Sequence, residues 1–573
     1  MAKSFTDTAR FFYIGVSAFF MAAFLFFAAA PAAAQDKGGG RLVIGITQFP
    51  STMNPIIDSM VAKSYVLGAV HRPVTAYNHD WQSFCMMCTE LPSFENGRAE
   101  EITRDDGTKT IRAHYTLRDD LKWGDGMAVT TRDVMFTWEV GRHPMTGASN
   151  FDLFAKEIAD IEVLDDHNFI IELDEVKCEF ASINDFKLLP AHLERPVFEQ
   201  DPATYKDRTL YDADPLNAGL YNGPYRITRV EPGASFTLEK NPHWAGKKPH
   251  FDRIVIRIIE NSAALGTNLL SGDIDYIAGE LGLMVDEAIG LERRLERMRR
   301  GQYKVLYETG LSYEHIDIHL DNPRWRDVRM RRALLKGINR DAISEKLFGG
   351  RQPVAHVNTH PMDEIYHEGV RQYAFDPEKA GALLDAAGWR LGADGIRRNA
   401  DGERLQFTLM TTSGNRTREL VQQAVQSDWR RIGVETRLRN ETARVLFGET
   451  VRKREFSDGV MYAWMSAPRN IPRTTLHSTM IPEQENNWAG QNYPGFRHEE
   501  ADRVLDDLRR VCEEDKNRAL WHRIQDIYAE ELPALPLYYR ANSYIMPKWL
   551  KGVRPTGHQD PTTLWIEEWK REP

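Results

Sequence analysis

The sequence predicts an α/β fold, and three stretches of its second half carry the prediction. "FDPEKAGALLDAAGWR" has Asp376 as a helix N-cap, Pro377 at the first helical position and Gly388 as the stop. "TRELVQQAVQSDWRRIGVETRLR" sets Leu420, Val421, Ala424, Val425 and Trp429 on one helical face. It ends at Gly433, and Val434, Thr436 and Leu438 then alternate with polar residues as a strand. "NRALWHRIQDIYAEELPALPLYY" repeats the plan, with a helical stripe, a break at Pro533 and a strand through Leu537 to Tyr539. Helices alternating with strands bury their stripes against mixed sheets. The chain has 573 residues, more than one hydrophobic core serves, so about two to four domains are expected.

The elements can be taken from the N-terminus. Lys3 and Arg10 precede the apolar run "FFYIGVSAFFMAAFLFFAAA", and Ala32 and Ala34 supply an A-x-A site before Gln35. This predicts a signal peptide over residues 1–34, removed on export to the periplasm. The run is also long enough to span a bilayer, so a retained anchor is the alternative. "RLVIGITQ" reads as a buried strand ending at the turn "FPSTMNP". In "YTLRDDLKWGDGMAVTTRDVMFTWE" (Tyr115 to Glu139), Tyr115 and Leu117 alternate as a half-buried strand, and Trp123-Gly124-Asp125-Gly126 is turn chemistry. Thr130 or Thr131 caps the helix that follows, which buries Val134, Phe136 and Trp138. The stretch reads as a structural corner.

Four cysteines in an oxidising compartment allow three pairings. Cys85 and Cys88 form C-M-M-C without the βαβ surroundings of a redox motif, Cys178 falls in the same lobe, and a structural disulfide is expected with the pairing open. Zinc held by His71, His79, Cys85 and Cys88 has suitable ligand types at irregular spacing. Cys512 shares a helical stripe with Ala501, Val504, Leu505, Leu508 and Val511, which predicts a buried free thiol.

Composition and motifs exclude several functions. A net charge of −10 argues against nucleic acid as a partner. The basic run "ERRLERMRR" is interleaved with Leu and Met, as on a solvated helix face. There is no G-x-S-x-G elbow, H-E-x-x-H helix, G-x-x-x-x-G-K-[ST] loop or G-x-G-x-x-G turn. Asp273 and Asp275 in "SGDIDYIAG" are alternate residues of a short strand and would face apart, unsuited to joint sugar hydrolysis. No catalytic residue, metal or cofactor is predicted.

Several segments together resemble one family, the oligopeptide- and dipeptide-type (family 5) extracytoplasmic solute-binding proteins of ABC importers. They are Tyr115 to Trp138, "GLYNGPYRITRVEPGASFTLEKNPHWAG", "SGDIDYIAG", "DVRMRRALLKGINRDAISEKLFGG", "FDPEKAGALLDAAGW" and "IQDIYAEELPALPLYY", in order over residues 41–545. The resemblance implies a periplasmic binding protein-like fold, with two α/β lobes, a hinge and an extra small lobe. Lobe I would comprise residues 35–75, 212–305 and 535–573, lobe II residues 76–211 and lobe III residues 306–534. It implies a monomeric substrate-binding subunit without enzyme activity, which hands a peptide or peptide-like solute to membrane permeases. A secreted hydrolase with a composite site, a binding protein for another solute (opine, sugar derivative or metal chelate) and a membrane-held sensor are the rival readings.

The resemblance also implies where ligand sits. Segments matching Gln48, Phe49 and Pro50 and the strand Tyr462 to Ser466 flank an extended peptide in the family, with Tyr313 and the loop "NNWAGQNY" nearby. Tyr462, Trp464, Met465, Ser466, Ala467 and Trp488 are therefore candidate contacts, the two tryptophans as stacking walls. Peptide binders of the family carry Asp three residues after the tryptophan, where it pairs with the α-ammonium group. Here that position is Ala467. Either the ligand lacks a free amino terminus, as the apolar neighbours Met461, Met465 and Pro468 suggest, or another acid such as Asp458 or Glu314 replaces it.

Overall fold

The computed structural model describes residues 40–486 and 488–573; the signal segment read at 1–34 lies outside them. Strand β1 (Arg41–Ile46) is buried at every position after its first, which requires cover on both faces. It lies parallel to β4 (Arg253–Ile258) and to β5 (Tyr276–Ile277). The antiparallel β2 (Tyr225–Glu231) and β3 (Ser235–Lys240) extend the sheet beyond β4. On its other side β5 meets β10 (Ala534–Pro547), which pairs with β6 (Tyr303–Ile318). Past β6 come β9 (Gly459–Met465), β7 (Gln406–Thr412) and β8 (Glu435–Glu441), making one sheet of ten strands. The helix units predicted from the sequence pack on it. Asp376 caps Pro377–Ala386 through the Lys379 amide, and Asn415 caps Arg416–Arg431, after which Gly433 takes φ 87°.

The sheet serves two large cores, besides a smaller one of Val43, Leu265, Ile277, Leu291 and Ile545 under the helices 262–271 and 285–297. One runs from Leu42 through the segments 53–74 and 87–238 to Trp569. The other gathers Ile316 to Tyr538, including Trp325, Trp429 and Trp521. Among the described strands, β6 and β10 contribute to both, the mark of two α/β lobes on a hinge. The extra lobe carries a separate antiparallel sheet of Ala99–Thr103, Lys109–Thr116, Asn168–Leu173 and Ile158–Val163, and shares the first core.

The Trp123 turn is a corner of this extra lobe. Trp123 is fully buried and donates from Nε1 to Asp133, whose carboxylate also accepts from the amides of Thr130 and Ala191. Thr130 is the cap, and it forms a capping box with Asp133. Gly124 has no room for a side chain, since a Cβ would lie 2.4 Å from the Ala218 carbonyl oxygen. Asp273 and Asp275 precede a strand of only two residues; the Asp273 carboxylate accepts from Ser271 and that of Asp275 from the Val43 amide.

The cysteines correct one expectation. Cys85 pairs with Cys88, and Cys512 is not a free thiol but is bonded to Cys178. The helix Glu499–Arg510 ends two residues before Cys512, which leaves the apolar stripe and turns toward the extra lobe. Among the described residues no helix is long and apolar enough to cross a membrane.

Candidate functional site

The two long strands fix where the lobes meet. β6 pairs with β10 over Tyr303–Thr309 and again from Tyr313, with a register shift between. In the gap the Leu311 amide donates to the Gly557 carbonyl at 2.9 Å, and the Ser466 amide donates to the Leu311 carbonyl at 3.2 Å. A Cβ at Gly310 would stand 2.2 Å from the Gly557 oxygen, so this crossing needs glycine. The crossover, the loop around Gly557 and the end of β9 thus meet at one place.

Beside it lies an aromatic group. The Tyr313 and His315 rings stack at 4.7 Å, and Tyr462 meets His315 edge-on at 4.6 Å. The Tyr462 hydroxyl donates to Asp317, and burial with that carboxylate raises the phenol well above its ordinary range. Trp464 is half-buried and parallel to Tyr493 at 6.0 Å. Met465 is 62% exposed. β7 pairs with β9 only at Leu409–Gly459 and Met410–Val460, while β6 pairs along all of it.

A cavity of about 290 Å³ opens next to Ala467, adjoining a second hollow of about 490 Å³ that shares Ala467, Asn184, Asp185 and Gln559. Ala467 comes from the lobe of the second core; the facing walls come from residues 55–73, 149–154, 184–187 and 559–564. These walls bear Lys63, Lys187, Asp185 and Asp560. Lys63 is spent on backbone, donating to the carbonyls of Asn54, Ile57 and Asp58, and burial lowers it to about 7. Asp560 accepts from the Tyr77 amide, yet burial raises it to about 6 against that bond and the attraction of Lys187. His71, also on the wall, is held neutral at about 3 by burial.

Of the residues named from the sequence, Ala467 lines this cavity, and Tyr313, Tyr462 and Trp464 form the aromatic group beside it. Gln48 is exposed at the end of β1, Phe49 stacks on Phe236 at 4.8 Å, and Pro50 is buried. Trp488 is half-buried in left-handed backbone at φ 59°; its loop reaches Trp464 through Tyr493. The two acids considered as substitutes are engaged elsewhere. Asp458 accepts from Trp325 Nε1 and the Thr408 amide, and Glu314 pairs with Arg418 at 2.5 Å. The charges on the cavity were missed: Asp185 and Lys187 interrupt the buried run Ile183, Phe186, Leu188 and Leu189, and that interruption is the signal the sequence offered.

The family model for bacterial extracellular solute-binding proteins, family 5, matches residues 93–479. The chain therefore belongs to that family and is an extracellular solute-binding protein. Among relatives, the oligopeptide-binding protein AppA of Bacillus subtilis is 22% identical over 548 residues, covering 94% of this chain and 92% of that one. A solved oligopeptide-binding protein of Thermus thermophilus, complexed with a pentapeptide, is 29% identical at a TM-score of 0.70, covering 93% of this chain and 96% of that one. NikA of Brucella suis in complex with Fe(III)-EDTA shares the fold, with a TM-score of 0.76 at 18% identity, covering 93% of this chain and 100% of that one.

Proposed function

We propose that the chain is the substrate-binding subunit of an ABC importer, that it binds a peptide or peptide-like solute without turning it over, and that it passes the solute to permease subunits in the membrane. The observation that carries this is the cavity bearing Lys187, Asp185 and Asp560, to which lobe III contributes Ala467. Relatives named for oligopeptides, one solved with a pentapeptide, support the peptide class. In this reading Gln48, Phe49 and Pro50 face the strand from Tyr462 to Ser466 across an extended ligand. The side of β9 beyond Val460, where β7 leaves it, offers backbone groups for strand addition. Lobe I takes residues 35–75, 212–305 and 535–573, lobe II 76–211 and lobe III 306–534, and the break in the β6–β10 ladder between Thr309 and Tyr313 lies a few residues past the 305–306 boundary.

The missing aspartate at Ala467 has a counterpart across the cavity. A buried ammonium without a partner costs several kcal/mol. Asp185 and Asp560 can meet it from the opposite wall, and Lys187 beside them can meet a carboxylate. The ligand then carries both charges, as a short peptide with free ends does. Calorimetry with trialanine and N-acetyl-trialanine, backed by native mass spectrometry of cargo retained through purification, tests this. Acetylation is expected to weaken binding at least about tenfold, or 1.4 kcal/mol. Tighter binding of the acetylated form would return the site to a ligand with a blocked amino end.

A further inference from the structure

Three covalent connections join the two bodies that wall the cavity. Two are the hinge strands β6 and β10. The third is the disulfide between Cys178 and Cys512, which are 334 residues apart in sequence. Cys178 follows the last strand of the extra lobe's sheet, and its neighbours Val176 and Phe180 pack on the first core. Cys512 follows the helix whose Ala501, Val504, Leu505 and Leu508 belong to the second core. Each half of this cystine is therefore rooted in a different body. Cys85–Cys88 differs, being a local bridge within the first body.

The surroundings place this bond at the edge of the cleft. The Cys178 amide donates to the Arg509 carbonyl at 3.2 Å, and Arg509 pairs with Glu175 at 2.5 Å. Arg469, two residues from Ala467, lines the same small hollow as Cys178 and Cys512. The Tyr77 hydroxyl reaches the Pro468 carbonyl at 3.4 Å, another contact between the bodies. These polar contacts are exchangeable with water; the disulfide is not.

We propose that Cys178–Cys512 is a redox-controlled latch that holds lobe II against lobe III and confines the oxidised protein to closed or nearly closed states. The geometry sets the limit. The two Cα atoms are 5.0 Å apart, and a disulfide tolerates at most about 7 Å. Only about 2 Å of separation remains there, whereas hinge opening must part the walls far enough to admit a solute. Release requires a dithiol reductant. Its thiolate attacks one sulfur and the S–S bond breaks, giving a mixed disulfide and one cysteine thiolate. The reductant's second thiol resolves the mixed disulfide, so the cystine gains two electrons and two protons and the reductant becomes a disulfide. The inference rests on lobes that open and close, and not on which solute they hold.

The test needs no ligand. Wild type, Cys178→Ser/Cys512→Ser and Cys85→Ser/Cys88→Ser are compared as full exported chains, with and without dithiothreitol, by small-angle scattering and amide hydrogen exchange. The Cys178→Ser/Cys512→Ser protein and reduced wild type are expected to show a larger radius of gyration. Exchange of amides in 183–187 and 464–469 should be at least about tenfold faster in both. Cys85→Ser/Cys88→Ser without reductant should keep the oxidised wild-type values. Equal radii and equal exchange in oxidised wild type and Cys178→Ser/Cys512→Ser would overturn the latch. Should that variant fail to fold, wild type titrated with dithiothreitol, its thiols trapped by iodoacetamide, gives the same comparison. Adding trialanine afterwards separates the two readings: a latch that works with no peptide bound leaves this inference standing while the peptide class falls.

Discussion

Replacing Asp560 by Asn probes the cavity wall directly. Burial raises this carboxyl from 3.8 to about 6, although the Tyr77 amide bonds to it and Lys187 attracts it. That rise is worth about 3 kcal/mol between the two ionisation states. An acid whose folded value lies above its unfolded value keeps its stability at pH below the unfolded value, and loses it as pH climbs through the folded one. Relative to Asp560→Asn, wild type should therefore be at its most stable near pH 4, and should lose up to about 3 kcal/mol by pH 7. Asn retains an oxygen for the Tyr77 amide, so the comparison isolates the charge. Urea unfolding of ligand-free protein at pH 4, 5, 6 and 7 reads the difference. Parallel stability profiles for the two proteins would refute a desolvated carboxylate at this wall. The same carboxylate should release a proton when an ammonium group docks beside it, visible near pH 6 as a dependence of the binding heat on the ionisation enthalpy of the buffer.

Other outcomes follow from the same structure. Asp133→Ala removes three hydrogen bonds from a carboxylate that is 3% exposed; it should cost about 2–4 kcal/mol in chemical denaturation and leave ligand affinity unchanged. Trp464→Ala should weaken binding with little change in melting; unchanged affinity would take the residue out of the site. With the Cys178–Cys512 bond reduced, a confirmed ligand at a hundred times its dissociation constant should stabilise the chain by about 2.7 kcal/mol and alter its scattering profile, and no change in either would reject closure. Exported protein should begin at Gln35, and N-terminal sequencing that finds Met1 or Ala2 would overturn the cleavage reading.

The legible part of this fold was its local grammar. Asp376 and Pro377 start a helix, Gly433 stops one and the Thr130–Asp133 box starts another, because each rule involves residues within a few positions of one another. Order along the chain carried the family resemblance for the same reason. The disulfide could not be read this way. Cys512 sits within two residues of an apolar stripe, so periodicity extended the helix over it, whereas the backbone leaves helical geometry after Arg510. What decides its partner is a contact across 334 residues, which no spacing encodes.

The site divides along the same line. The residues expected on β9 could be named because they fall on one strand and one motif, and of that stretch Ala467, just past the end of β9, lines the cavity. The opposing wall is assembled from four distant segments, and its charges look like ordinary surface residues until the lobes are brought together. This explains why the loss of an acid at Ala467 invited a search among residues of the same lobe. Asp458 and Glu314 both belong there, and both serve that lobe's own interior. A closing cleft has two walls, and a ligand's charge is stabilised by a counter-charge on either of them, since distance and desolvation set the energy whatever the counter-charge's place in the chain. An acid lost from one lobe can thus be supplied by the other without changing the class of ligand. The supply differs in one respect: Asp185 and Asp560 reach a ligand seated at Ala467 only when the lobes are together, so recognition of its charged end becomes coupled to closure, and the bond between Cys178 and Cys512 acts on both at once.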